Sequence, residues 1–219
     1  MRHLVRPVLA ALGLAVSPCA LAQDAVPVDQ ARYRACIAEI DTAPMAAYET
    51  GLAWQAQAGG WPAAHCTALA IVASGDYAEG AARLETNAEG AVAAGDHARA
   101  VMFGQAGDAW MAAGDPVKAL RAFTRGRDFA PGDAGLAFGR AEAAIEAGLY
   151  EVAEEAAGEA IALAPDASDG YRLRGRARLE LGELDAAEAD MQAARERDPD
   201  SIEALLLRGD INEARRTAG

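Results

Sequence analysis

Along the second half of the chain, small, large and turn-forming positions recur in a fixed order. Gly114, Gly148 and Gly182 fall in one column, 34 residues apart. Ala119, Ala153 and Ala187 follow at one constant offset, Phe123, Ala157 and Met191 at a second, and Pro131, Pro165 and Pro199 at a third. A period near 34 with small, large and proline positions in order predicts a helical repeat array. Each unit reads as two helices. The glycines suit the left-handed residue that ends a first helix. Asp115-Pro116 reads as the start of a second, with an acidic N-cap and proline in the first turn. The prolines stop the second helices. One unit cannot bury its apolar face alone, so at least three must stack.

The flanking segments follow the pattern more loosely. Ala31, Tyr33, Cys36, Ile37 and Ile40 suit one helix beginning at Asp29. Thr42 is placed to cap the next, with Pro44 in its first turn. Tyr48, Leu52 and Trp54 lie on that helix, which should end at Gly59-Gly60, so Val28 to Gly60 forms a divergent first unit. Trp61 to about Arg99 forms a second, with Gly75-Asp76-Tyr77 as its turn, Gly80 at the small position and Leu84 at the large one. The distance from Gly75 to Gly114 is 39, five beyond the period. That excess predicts an extra turn of helix or a bulged loop, with the second helix running to about Ala94. Beyond Pro199, a lone helix from Ser201 to about Arg216 should cap the array. Ser201 is a good N-cap and Glu203 suits the first turn. Glu203, Asp210, Glu213, Arg215 and Arg216 would give it a wet outer face. No window reads as a strand.

The three regular segments resemble tetratricopeptide repeats, whose signature is W-x2-L-G-x2-Y, then A-x3-F, then P. The segment from Ala100 places Phe103 at the Trp position, Ala106 and Gly107 at Leu-Gly, and Trp110 at Tyr; Ala119, Phe123 and Pro131 complete it. The segment from Ser168 offers Tyr171, Arg174, Gly175, Arg178, Ala187, Met191 and Pro199. The one from Ala134 has Ala137, Ala144 and Ala157 where large residues are usual. The resemblance implies an all-α, right-handed α-solenoid of about five helix pairs plus a C-terminal capping helix. Residues 28–99 would be the two divergent repeats, 100–201 the three regular ones, and 202–219 the cap and tail.

The resemblance also implies a concave groove lined by first helices. That places Asp108 and Met111, then Phe138, Glu142 and Ile145, then Asp169, Arg172, Arg176 and Leu179 in the groove. Arg172 and Arg176 share one helix face, Arg174 and Arg178 another. Two readings of the first pair stand open. It could hold a carboxylate of a partner peptide, or pair internally with Glu142, Glu146 or Asp169. The Lys/Asn/Arg carboxylate clamp of chaperone-binding members of the family is not matched, because the corresponding positions lack Asn and Lys.

The N-terminus carries a different signal. Arg2 and Arg6 precede an apolar run from Val8 to Val16, and Ala20-Leu21-Ala22 has the small-x-small form of a cleavage site. The run is too short to span a bilayer. A secretory signal over 1–22 is predicted, cleaved near Ala22-Gln23, followed by a loose leader over 23–27 and a periplasmic or secreted chain with no membrane span. Cleavage takes the formal charge from −13 to −15, since the segment holds Arg2 and Arg6 and no acid. Such a balance argues against nucleic acid, which needs clustered Lys and Arg, and against an anionic membrane surface. Cys36 and Cys66 are the only cysteines left after cleavage. An oxidising compartment permits a disulfide. Both cysteines fall on first helices, which the resemblance packs side by side, and a bond needs Cα atoms within about 7 Å. A disulfide, two buried thiols, and a redox or metal role all stand open.

No catalytic constellation emerges. His65 and His97 have no CxxC, HExxH or acidic cluster at ligand spacing, and are read as structural or solvent-facing. No GxSxG or GxxxxGK[ST] occurs. No catalytic residue, cofactor or metal is expected, and the chain is not expected to be an enzyme. The function expected is a scaffold that offers its groove to a protein or peptide. The alternative is a cell-envelope accessory factor that binds glycan or cell-wall polymer. Exposed groove aromatics would favour the latter, and the groove offers few beyond Phe138.

Overall fold

The computed structural model describes residues 29–218. The signal peptide and leader assigned from the sequence lie outside the described residues. Eleven α-helices and one 3₁₀ turn make up the described chain, with no strand among these residues. The helices pair in order: α1 (Gln30–Ile40) with α2 (Pro44–Gln55), α3 (Gly60–Ala73) with α4 (Tyr77–Gly90), and α5 (Gly95–Ala112) with α6 (Pro116–Phe129). Then α7 (Ala134–Glu146) pairs with α8 (Tyr150–Leu163), α9 (Ser168–Glu180) with α10 (Leu184–Arg197), and α11 (Ile202–Ala218) closes the array. Each helix packs on its successor, and first helices also meet across units: α1 on α3, α5 on α7, α7 on α9, α9 on α11. The result is an all-α solenoid of five helix pairs and a closing helix, as the register predicts.

Local chemistry sets the boundaries. Gly75, Gly114, Gly148 and Gly182 take φ of 90°, 75°, 71° and 79°, where a side chain would be strained. At Gly114 the N–H donates to the Met111 carbonyl at 3.0 Å, and the Asp115 N–H reaches the Trp110 carbonyl at 2.9 Å. This paired bonding is the Schellman stop, and it recurs at Gly148 and Gly182. Asp29, Asp76, Asp115 and Asp133 accept from first-turn backbone N–H groups of α1, α4, α6 and α7, and Ser201 does the same for α11. Ala130, Ala164 and Asp198 precede the repeat prolines and sit at φ of −137°, −138° and −135°. Proline forbids its predecessor the helical region, so α6, α8 and α10 end there.

Two expectations need correction. Thr42 does not cap α2; its hydroxyl donates back to the Glu39 carbonyl, and Ala43 takes the cap position without a side-chain bond. The second helix of the second unit does not run to Ala94. It stops at Gly90, giving α4 the same 14 residues as α6, α8 and α10. The additional residues extend α5 instead, which has 18 residues against 13 in α7 and in α9. Arg99, on that extension, donates to the Ala88 and Glu89 carbonyls at 2.7 and 3.2 Å and so closes the end of α4. The outer face of α11 carries Glu203, Asp210, Glu213 and Arg216, all exposed as expected, with Arg215 the one that turns inward. Arg215 turns back to Asp185 and Glu188 of α10, and Asp210 faces α9; Ile202 and Leu206 are exposed as well.

The core is built mainly from fully buried alanine, which lets the helices approach closely. In the regular part Phe123 is a wedge between helices. A Cβ on Gly107 of α5 would lie 2.6 Å from its ring, and one on Gly139 of α7 would lie 2.5 Å away. The two glycines thus form the slot that holds the α6 ring between successive first helices.

Candidate functional site

The first helices α7, α9 and α11 stand side by side and bound a cavity of about 300 Å³. Glu142 and Ile145 of α7, Arg172 and Arg176 of α9, and Leu206 and Asp210 of α11 line it. Four of these were placed in the groove from the register. Leu206, Asp210 and Glu203 were not, although they lie one period of 34 after Arg172, Arg176 and Asp169. The signal was present; it needed the groove register to be carried into the capping helix. Leu179 lines a neighbouring hollow between α9 and α11, with Arg176, Glu180 and Asp210.

Both groove arginines are paired within the chain. Arg172 donates to Asp169 at 3.1 Å, one helical turn away. Arg176 bridges to Glu180 at 3.0 Å and to Asp210 of α11 at 2.6 Å. Within the chain the internal pairs are formed, to Asp169 as foreseen but not to Glu142 or Glu146. Those two acids, with Asp108, have no ion-pair partner among the described residues. Asp108 still reaches solvent, yet crowding by the packed first helices raises its pKa, and the Glu142 carboxylate adds to the rise.

The opposite face of α9 is structural. Arg174 makes a bidentate contact to Asp190 at 2.9 and 2.7 Å, and Arg178 joins Asp190 and Glu154 at 2.8 Å each. Asp190 is buried, and its hydrogen bonds to Arg174 hold that guanidinium above its ordinary pKa.

The apolar groove positions are partly used by the core. Met111 packs on the cluster around Phe123, Phe138 and Ile145 pack on Leu173, and Leu179 packs on the cluster around Met191. Leu206 is the exception, at 63% exposed.

At the other end, Cys36 of α1 and Cys66 of α3 form a disulfide, with Cα atoms 6.2 Å apart. Immediately before Cys66, His65 is buried. Its Nδ1 accepts from the Tyr33 hydroxyl at 2.6 Å and its Nε2–H donates to Gln105 Oε1 at 2.6 Å, an arrangement that fits the neutral ring. Burial lowers its pKa, and the Gln105 bond opposes that. This chain of bonds links first helices of three successive units. His97 is exposed. Among the described residues no group of three or more His, Cys, Asp or Glu is placed to hold a metal, and no helix is long and apolar enough to cross a membrane.

The tetratricopeptide repeat family model matches residues 138–202 and 172–218. RNA polymerase II-associated protein 3 of Xenopus tropicalis is 34% identical over 109 residues, covering 50% of this chain and 17% of that protein. Its Mus musculus counterpart is 31% identical over 119 residues, covering 54% and 18%. The chain therefore spans under a fifth of these relatives. Among solved structures, the first repeat domain of Spaghetti (RPAP3), bound to the HSP90 peptide SRMEEVD, is 28% identical with a TM-score of 0.52 over 55% of this chain and 95% of that one. YrrB, a repeat protein with an unusual peptide-binding site, shares the fold at 17% identity, with a TM-score of 0.67 over 83% of this chain and 90% of that one. Tetratricopeptide repeats occupy residues 138–218, and the helix pairs before them continue the same solenoid.

Proposed function

We propose that this chain is a periplasmic or secreted scaffold, and not an enzyme, that presents the concave face of its first helices to a protein or peptide. The observation that carries this is the cavity bounded by α7, α9 and α11, whose lining mixes charged side chains with the exposed Leu206. A repeat domain that is 28% identical is bound to a peptide, which supports the same use of the fold. Asp108, Met111, Phe138, Glu142, Ile145, Asp169, Arg172, Arg176 and Leu179 are the proposed groove residues. The compartment rests on the N-terminal pattern of Arg2, Arg6, the apolar run and Ala20-Leu21-Ala22. The glycan alternative loses ground because Phe138, the aromatic on which a sugar would stack, is half-buried against Leu173.

The test is capture from an envelope extract with the mature chain, followed by crosslink mapping. A stoichiometric protein crosslinked to α7, α9 or α11 is the expected result. Crosslinks confined to second helices, or retention on isolated cell wall with no protein partner, would reject the scaffold reading. Mass spectrometry of the exported chain should give an N-terminus at Gln23; an intact Met1 would reject the compartment.

A further inference from the structure

We infer that the partner segment docked on the concave face is basic, with lysine or arginine side chains interspersed with apolar ones, opposite in charge to the acidic peptide SRMEEVD bound by the similar repeat domain. The inference rests on the groove reading above. It starts from charge bookkeeping along the first helices. The only two arginines in the groove register are engaged, Arg172 by Asp169 and Arg176 by Glu180 and Asp210. Glu142, Glu146 and Glu203, which line the same cavity, have no ion-pair partner among the described residues. Asp108, farther along the face, is in the same position.

An incoming carboxylate would have to displace an existing pair and then face the unpaired acids. An ammonium or guanidinium meets those acids directly and leaves Arg172 and Arg176 in place. The mutual repulsion of Asp108 and Glu142 would be relieved by a cation between α5 and α7. Across the stretch from α5 to α11, apolar contact comes from Val101 of α5, 39% exposed, and Leu206 of α11, 63% exposed. A chain that crosses these first helices thus meets apolar surface at both ends of that stretch and unpaired acids between. That alternation is the complement of a segment that mixes lysine with leucine.

The experiment uses the full mature chain and two fluorescent probes of equal length. One peptide alternates lysine with leucine; the other carries glutamate in place of every lysine. The lysine probe is expected to bind and the glutamate probe to bind at least about tenfold more weakly. Glu142→Gln with Glu146→Gln should weaken the lysine probe about tenfold, and rising salt should weaken it further. Glu89→Gln with Glu196→Gln, exposed acids on second helices, should leave it unchanged. Tighter binding of the glutamate probe, lost on Arg172→Ala with Arg176→Ala, would overturn the polarity while leaving the groove reading intact. Binding of either probe that is insensitive to both groove pairs, or equally sensitive to the second-helix pair, would overturn the inference together with the groove reading. So would no binding of either probe while the captured partner crosslinks elsewhere.

Discussion

The two ends of this solenoid reach the same architecture by different means. In α5 to α10 the helices pack because the register of small and large residues is kept. Phe123 sits in the slot of Gly107 and Gly139, and fully buried alanines line nearly every other contact. In α1 to α4 the register is loose, and discrete bonds take over. Cys36–Cys66 ties α1 to α3, Tyr33–His65–Gln105 carries the tie on to α5, and Gln55 Nε2 donates to Thr67 Oγ1 at 2.6 Å across α2 and α3. Packing by shape is spread over many weak contacts and degrades gradually. Bonded links are few, and each can be cut by one chemical change. The N-terminal units should therefore fail one link at a time, and the regular units most when the slot itself is emptied.

The largest effect is expected from emptying it. Phe123→Ala removes the one large ring between two glycines that cannot fill the space, and should cost about 3–5 kcal/mol, read as a lower denaturant midpoint. A loss under about 1 kcal/mol would mean that the alanine contacts hold the regular units without the wedge. Next comes the covalent link. Reduction, or Cys36→Ser with Cys66→Ser, should cost about 3 kcal/mol in the chain-entropy model. Hydrogen exchange should speed up in α1 and α2 while α7 to α10 stay protected; uniform loss of protection would erase the contrast between the ends. Smaller still is Asp190→Asn, which strips Arg174 and Arg178 of their shared carboxylate. Because both arginines reach solvent, at 24% and 23% of their side-chain surface, the expected loss is about 2 kcal/mol. It should appear as faster exchange in α9 and α10, with α1 and α2 unaffected.

How much of this was legible in the sequence follows the same division. The glycine stops, the Asp115 cap and the proline ends are local rules, and they located α6 to α10 within a few residues, while α5 begins at Gly95 and not near Ala100. The five surplus residues between Gly75 and Gly114 were seen but assigned to the wrong helix. What decides their place is Arg99 closing the carbonyls of α4, a contact between units that no local pattern encodes. The groove register was legible as far as Leu179 and stopped one helix early. The pairing of Arg176 with Asp210 spans 34 residues, so it becomes visible only once α11 is treated as a repeat. The Tyr33–His65–Gln105 chain was not legible, because Tyr33 and Gln105 lie outside the motif positions that could be compared.

The smallest effect should come from His65, and it separates the two ends by pH. Burial holds its folded-state pKa below the ordinary 6.5. Below about pH 6.5 the unfolded chain takes up a proton that the folded ring resists, so the unfolded state binds more protons. Stability then falls as pH drops through that window and is flat above it. Tyr33, the ring's other neighbour, has its pKa raised by burial and does not titrate there; Gln105 does not titrate at all. Asp108 and Glu85, whose pKa values are raised, contribute with the opposite sign, and lower in the acid range. Protection of α1 and α3, taken relative to the intrinsic exchange rate at each pH, should therefore fall between about pH 7 and about pH 5.5. The regular helices α6 to α11, which contain no histidine, should not respond over the same interval. His65→Gln can accept from Tyr33 and donate to Gln105 without titrating, so it should remove the dependence. His97→Gln, at an exposed site, should leave the dependence in place. A pH response in α1 and α3 that survives His65→Gln would mean that the bonded links of the N-terminal units are not what senses the proton.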